Sequence, residues 1–149
     1  MTGRTPNRWL VTGGMLSALA ALLHLAVLAG GPDWYRFFGA GEEMARMAEQ
    51  GAIMPTLITL AIAALLAVWS AYAFSGAGLF RRLPLMRTAL VAITAVYLLR
   101  GLALVPLAAL RPDLVTPFDV WSSLIVLAYG LCYAVGTWRA WPTLSRKLA

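Results

Sequence analysis

The sequence predicts an all-α polytopic membrane protein: a bundle of four transmembrane helices with a short interfacial helix in the first outer loop. Three observations carry this. The chain is 61% apolar and only 12% charged, against about 25% charged in a soluble domain, and its mean hydropathy is +0.78. Four separate stretches reach the roughly 20 apolar residues that a helix needs to cross the hydrocarbon. Acidic and basic side chains alternate between the connections. This composition excludes a soluble globular domain and a disordered chain. The 149 residues read as one membrane domain, residues 1–149.

The spans are residues 9–28, 52–74, 88–110 and 118–138. Breaks carry turn residues: Gly30-Gly31-Pro32, then Ser75-Gly76-Ala77-Gly78 with Pro84, then Pro112 and Pro117. The apolar runs are too long for the alternating strands of a membrane barrel. Helices, which satisfy their own backbone, remain. Arg4 and Arg8 precede the first span, as in a signal peptide. Its apolar core exceeds the 7–15 residues of a cleaved h-region, so it reads as a membrane helix.

Charge sets the orientation. Arg4 and Arg8, then Arg81, Arg82 and Arg87, then Arg139, Arg146 and Lys147 occupy three segments without an acid. All six acids, Asp33, Glu42, Glu43, Glu49, Asp113 and Asp119, fall in the other two loops. The positive-inside rule then puts both termini in the cytoplasm. Trp9, Trp34, Tyr35, Trp121, Trp138 and Trp141 lie near span ends, where aromatic belts form.

The first outer loop, Gly30 to Gly51, is the longest. Over Glu42–Gln50, Met44, Met47 and Ala48 share one helical face and Glu42, Arg46 and Glu49 another. Glu42 and Arg46 can pair at i,i+4. Trp34, Tyr35, Phe37 and Phe38 precede them as an aromatic anchor. The segment reads as an interfacial helix; an ordinary connecting loop is the plainer reading. Thr116-Pro117-Phe118-Asp119 matches a capping box that starts span four. The inner loop Phe80–Pro84 is basic and compact and suits anionic headgroups.

Few polar residues fall inside the spans. Arg100 lies about midway between Arg87 and Arg111. An arginine at the bilayer centre costs about 2.5–3.5 kcal/mol on insertion scales and about 10–17 kcal/mol in simulations. It is therefore expected to face the bundle or a water-filled cavity, with Tyr97 one turn earlier on the same side. Gly101 beside it permits close approach of a backbone or ligand. Arg100 either binds an anionic or polar group at the base of a pocket or bonds protein groups and fixes packing. His24 shares a small-residue face with Gly13, Ser17, Ala20 and Ala21, which points it inward. It is a proton relay or ligand contact, or a neutral ring bonded to a carbonyl or hydroxyl. Glu42, Glu43 and Asp119 are the acids placed to meet Arg100 and His24. Each also has a structural account, Asp119 as a cap and the glutamates at a helix start. In span four, Ser122, Tyr129, Tyr133, Gly130 and Gly136 serve packing and interhelical bonds, and Cys132 is an inert small residue.

Function classes narrow accordingly. The net charge is +6, but the basic residues do not cluster as nucleic-acid binding requires. A lone cysteine and a lone histidine exclude a disulfide framework and a multi-histidine metal site within one chain. There is no phosphate-binding glycine loop, Cys-x-x-Cys pair or nucleophile elbow, and no cofactor is implied. No span carries an acid, which opposes a self-contained proton pump. The leading expectation is a pocket opening to the outer leaflet that holds a membrane lipid or hydrophobic small molecule. Arg100 would lie deep in it, Tyr97 and His24 along its wall, Glu42 and Glu43 over its mouth, and Asp119 within reach. Its rivals are an interaction subunit, pairing through Arg100 with another membrane protein or a second copy, and a membrane enzyme. The enzyme would use His24, Glu42 or Glu43 as acid or base, with Arg100 stabilising charge.

Three stretches together, Trp34 to Glu42, Ser75-Gly76-Ala77-Gly78 through Leu83-Pro84-Leu85, and Tyr97 to Leu102, resemble small four-span proteins of bacterial inner membranes. The resemblance spans most of the chain. It implies a membrane location and attaches no activity.

Overall fold

The computed structural model describes residues 5–144, so Arg4, Arg146 and Lys147 lie outside the described residues. Seven α-helices follow in order: α1 (Arg8–Gly30), α2 (Pro32–Phe37), α3 (Glu42–Glu49), α4 (Met54–Ala77), α5 (Met86–Leu102), α6 (Leu104–Leu110) and α7 (Pro117–Leu144), with one 3-10 turn at Pro112–Leu114. Among the described residues there is no strand. Four segments are long and apolar enough to cross a membrane: Arg8–Gly30, Met54–Ala77, Met86–Leu110 and Pro117–Leu144. The protein is an all-α, multi-pass membrane protein. Helix α7 continues past the expected end at Trp138, taking in Trp141 and Pro142. A helix satisfies its own backbone, so it need not stop where the hydrocarbon does.

Packing divides the chain into two compact units, the first up to Leu16 and from Trp69 on, the second Ser17–Val68. Helices α1 and α4 each contribute to both. In the first unit, the start of α1, the end of α4, α5 and α7 meet through glycines. A Cβ on Gly101 would come within 2.8 Å of the backbone N and Cα of Leu127, and one on Gly130 within 2.7 Å of Leu98. Similarly, Gly13 makes room for the Tyr133 ring, Gly14 for Phe74, and Gly136 for Leu10. Lipid offers no hydrophobic drive for helix pairing, so close backbone approach supplies dispersion contact instead. Polar side chains add bonds between helices. Asn7 caps α1 by accepting from the Trp9 and Leu10 amides at 3.1 and 3.3 Å and donates to the Gly136 carbonyl at 2.8 Å. Ser70 donates to the Gly14 carbonyl at 2.8 Å and Tyr133 to the Trp69 carbonyl at 3.0 Å.

The third span is not the single helix expected over 88–110. It breaks at Ala103, between α5 and α6. Pro106 explains the break: it has no N–H for the Leu102 carbonyl, and its ring crowds that carbonyl. Helix α6 contains no buried residue. Below the break, Ser75 fastens the basic loop, donating to the Arg81 carbonyl at 2.9 Å and accepting from the Leu83 amide at 3.1 Å.

In the second unit, Val27, Tyr35 and Ala45 form a small core with Leu28, Phe38, Met44 and Ala48 against it. Helix α3 lies where the apolar pattern puts it, with Glu42, Arg46 and Glu49 exposed. The aromatic anchor is itself a helix, α2, which the sequence reading did not anticipate. Pro32 at its start, Asp33 in its first turn and Arg36 in its last are ordinary helix signals. Tyr35 is buried, and its hydroxyl lies 3.1 Å from that of Thr59, which donates to the Pro55 carbonyl at 2.8 Å.

The Gly101 contact is testable. Valine there forces α5 off α7 and should destabilise the fold by about 1–3 kcal/mol, the usual cost of overpacking. Thermal melting of Gly101→Val in detergent should show a clearly lower transition. A transition unchanged from wild type would mean that the two backbones are not in contact.

Candidate functional site

Helices α5 and α7 run antiparallel in a constant register. Arg87 meets Trp141, Leu98 meets Gly130 and Gly101 meets Leu127, the two chains stepping equally in opposite directions. That register sets Arg100 level with Ala128. Its guanidinium does not stay at that level. It donates to the Ser123 hydroxyl at 3.3 Å. Ser123 lies five residues, about 7 Å, nearer the start of α7 at 1.5 Å per residue. The side chain therefore snorkels toward the end of the bundle. There it sits about 9 Å along α7 from Pro117 and two residues beyond the level of Trp121, which is 67% exposed.

Two expectations change here. Arg100 was expected to face the bundle interior or a cavity; it is instead exposed, while Ser123, which anchors it, is buried. Tyr97 was expected beside it on the same wall; it is buried among Trp69, Tyr129 and Tyr133, with ring centroids 5.0, 5.5 and 5.3 Å away. One turn of α5 thus separates a core tyrosine from a surface arginine. The third site candidate in this unit, Asp119, forms the expected capping box. It accepts from the Thr116 amide at 2.9 Å and hydroxyl at 2.7 Å, and its own amide donates to the Thr116 hydroxyl at 3.2 Å. The Asp119 carboxylate is close enough to feel the Arg100 charge.

His24, Glu42 and Glu43 belong to the second unit. His24 is half-buried, and its Nδ1 lies 2.7 Å from the Ala20 carbonyl one turn back. Only a protonated nitrogen can bond a carbonyl, so in the neutral ring the proton is on Nδ1. Glu43 is exposed. Glu42 makes the expected pair with Arg46 at 3.4 Å, but its closer partner is Arg36, which reaches its two oxygens at 2.9 and 3.1 Å. Arg36 also contacts Glu49 at 2.7 Å and Asp33 at 3.3 Å. One guanidinium thus ties the start of α2 to both ends of α3. Hydrogen bonds to Glu42 and then Glu49 raise the Arg36 pKa above its ordinary value, and the Arg36 bond holds Glu42 below the usual carboxylate range.

Arg36 and Ser123 are the residues that sequence reasoning missed. Arg36 had a readable signal, with Asp33 three residues before it and two further acids on one face of the next helix. Ser123 had none, because its role depends on the α5–α7 register. Comparison of the chain with protein-family models, curated proteins and solved structures finds no match in any of the three.

The Arg36 cluster carries a pH dependence. A carboxyl whose pKa is depressed on folding contributes stability that is present above its ordinary pKa and lost as the pH falls through the folded value. A spin label at Gln50 should therefore keep the same restricted motion from neutral pH down to the ordinary carboxylate range and gain mobility below it. In Arg36→Gln the label should already be mobile at neutral pH. A label equally restricted in both proteins at every pH would show that the cluster does not hold α3.

Proposed function

We propose that this multi-pass membrane protein resides in a bacterial inner membrane with both termini cytoplasmic, and that Arg100 holds the anionic group of a lipid or small amphiphile on the outer part of its α5–α7 face. The observation that carries the binding reading is Arg100 itself: an exposed guanidinium in a membrane-spanning helix, drawn toward the helix end and spending one bond on Ser123. A guanidinium has five N–H donors in a fixed fork that matches phosphate or carboxylate oxygens. An intramembrane cation needs a counter-charge or water. A headgroup can reach one at this depth beside an exposed tryptophan. The site is a lateral, open one rather than the enclosed pocket that the sequence suggested. Apolar Leu102, Val105 and Trp121 are exposed nearby in the chain and suit an acyl or ring portion.

The enzyme reading gains nothing from the geometry. Glu42, held by Arg36, is a poor proton acceptor; His24, bonded through Nδ1 to Ala20, keeps Nε2 open but belongs to no cluster of His, Cys, Asp or Glu among the described residues. Orientation rests on the charge pattern and the bacterial location on the resemblance to small inner-membrane proteins.

Retention of lipid tests the site. Native mass spectrometry of wild type, Arg100→Gln and Ser123→Ala, each exposed to phosphatidylglycerol and to phosphatidylcholine, should show several-fold less phosphatidylglycerol on Arg100→Gln and a smaller loss on Ser123→Ala. Equal retention by all three would contradict the reading. Equal retention with loss of an oligomer in Arg100→Gln would favour pairing with another copy through this arginine. Orientation is tested separately by an impermeant maleimide on intact cells carrying Gln50→Cys or Leu79→Cys in a Cys132→Ala background. The first should label and the second should not; the reverse pattern would invert the topology.

A further inference from the structure

At the opposite end of α5 lies an open surface groove of about 520 Å³ that the Arg100 reading does not use. Arg82, Leu83, Leu85, Arg87, Thr88 and Leu144 are among its walls. Arg87 is fixed at one side. Its guanidinium carbon stands 4.5 Å from the centroid of the Trp141 ring, and its Nη2 donates to the Trp141 carbonyl at 3.2 Å. Its Nε is buried and has no hydrogen-bond partner among the described residues. That nitrogen is enclosed by protein and out of a ligand's reach, so an anion in the groove would meet the guanidinium through its Nη groups, whose N–H donors suit phosphate oxygens. The turn ahead of α5 adds to the arrangement. Leu85 holds a left-handed backbone, with φ of 54°, and offers no side-chain cap to the helix, so the first-turn amides are further donors. Cationic and apolar walls therefore meet in one groove: Arg82 and Arg87 with Leu83 and Leu85.

We propose that this groove binds a phosphate group, with Arg87 as its principal charged contact and Thr88 at its rim. Basic pockets between membrane helices take lipid headgroups by this chemistry. The apolar lining suits an anionic lipid, whose phosphate would meet Arg87 while its glycerol and upper acyl carbons lie against Leu83 and Leu85. A soluble phosphate compound offers the same oxygens. The site is independent of Arg100 and of the orientation of the chain.

The test uses the full chain in detergent. Arg87→Gln removes the charge but also loosens the Trp141 contact, so a second variant guards against misfolding. Thr88→Asp places an acid in the first turn of α5, where the helix dipole favours it, while setting a negative charge at the groove. Its melting transition should equal or exceed that of wild type. Native mass spectrometry with phosphatidylglycerol, and thermal shift with millimolar inorganic phosphate, supply two arms. Both variants, each made in an Arg100→Gln background so that lipid held on the α5–α7 face does not contribute, should bind at least fivefold more weakly than Arg100→Gln alone in whichever arm that protein binds. Weakening in the lipid arm alone assigns a headgroup; weakening in the phosphate arm assigns a soluble anion. Unweakened binding in Thr88→Asp, or no saturable binding by Arg100→Gln alone in either arm, overturns the proposal.

Discussion

The contact on which the rest of the first unit depends is backbone against backbone. With no side chain on Gly101, α5 lies directly on the main chain of Leu127, and Gly130 makes room for the Leu98 side chain and, at slightly longer range, its backbone nitrogen. These two contacts fix both the distance and the register of the antiparallel pair. The register then assigns every polar group along it. It lays Arg87 on the Trp141 ring, encloses Tyr97 among three aromatic rings, and leaves Arg100 one side-chain length from Ser123. Pro106 ends this arrangement by breaking the helix a turn beyond Arg100, and α6 continues without burying a residue.

Two arginines show two ways of holding a cation in or near a membrane. Arg36 gathers Asp33, Glu42 and Glu49, so its charge is more than matched within the chain. The result is a local clamp between α2 and α3 that leaves little for an external ligand. Arg100 has a neutral hydroxyl as its hydrogen-bond partner and a carboxylate, Asp119, within Coulombic range but already committed to Thr116. A serine bond positions a guanidinium without neutralising it. That difference in compensation, rather than depth alone, is what makes Arg100 the stronger binding candidate.

The spans, the α3 helix and the Thr116–Asp119 capping box were legible because each depends on local rules: apolar run length, helical period, and a four-residue hydrogen-bonding pattern. Pro106 was equally local and its break was readable in principle, since proline in a helix interior removes the bond to the carbonyl four residues back. Helix α2 was masked by its aromatics, which read as an anchor although Pro32, Asp33 and Arg36 stand at helix-start and helix-end positions. The environment of Arg100 was not legible. Counting along one span placed it near the middle, but the position of a long side chain is set by the neighbouring helix, and nothing in the sequence gives the register between α5 and α7. The same holds for Ser123 and for Arg87 against Trp141, whose partners lie 23 and 54 residues away in the chain.

The most direct measurement is a density map of the protein in a lipid nanodisc, read at Arg100. The account predicts that the guanidinium is within hydrogen-bonding distance of the Ser123 hydroxyl, near the level of Trp121, with headgroup or other non-protein density on its open side. A guanidinium turned away from Ser123 and enclosed by protein carboxylates or helix carbonyls, with only acyl chains on that face, would contradict it.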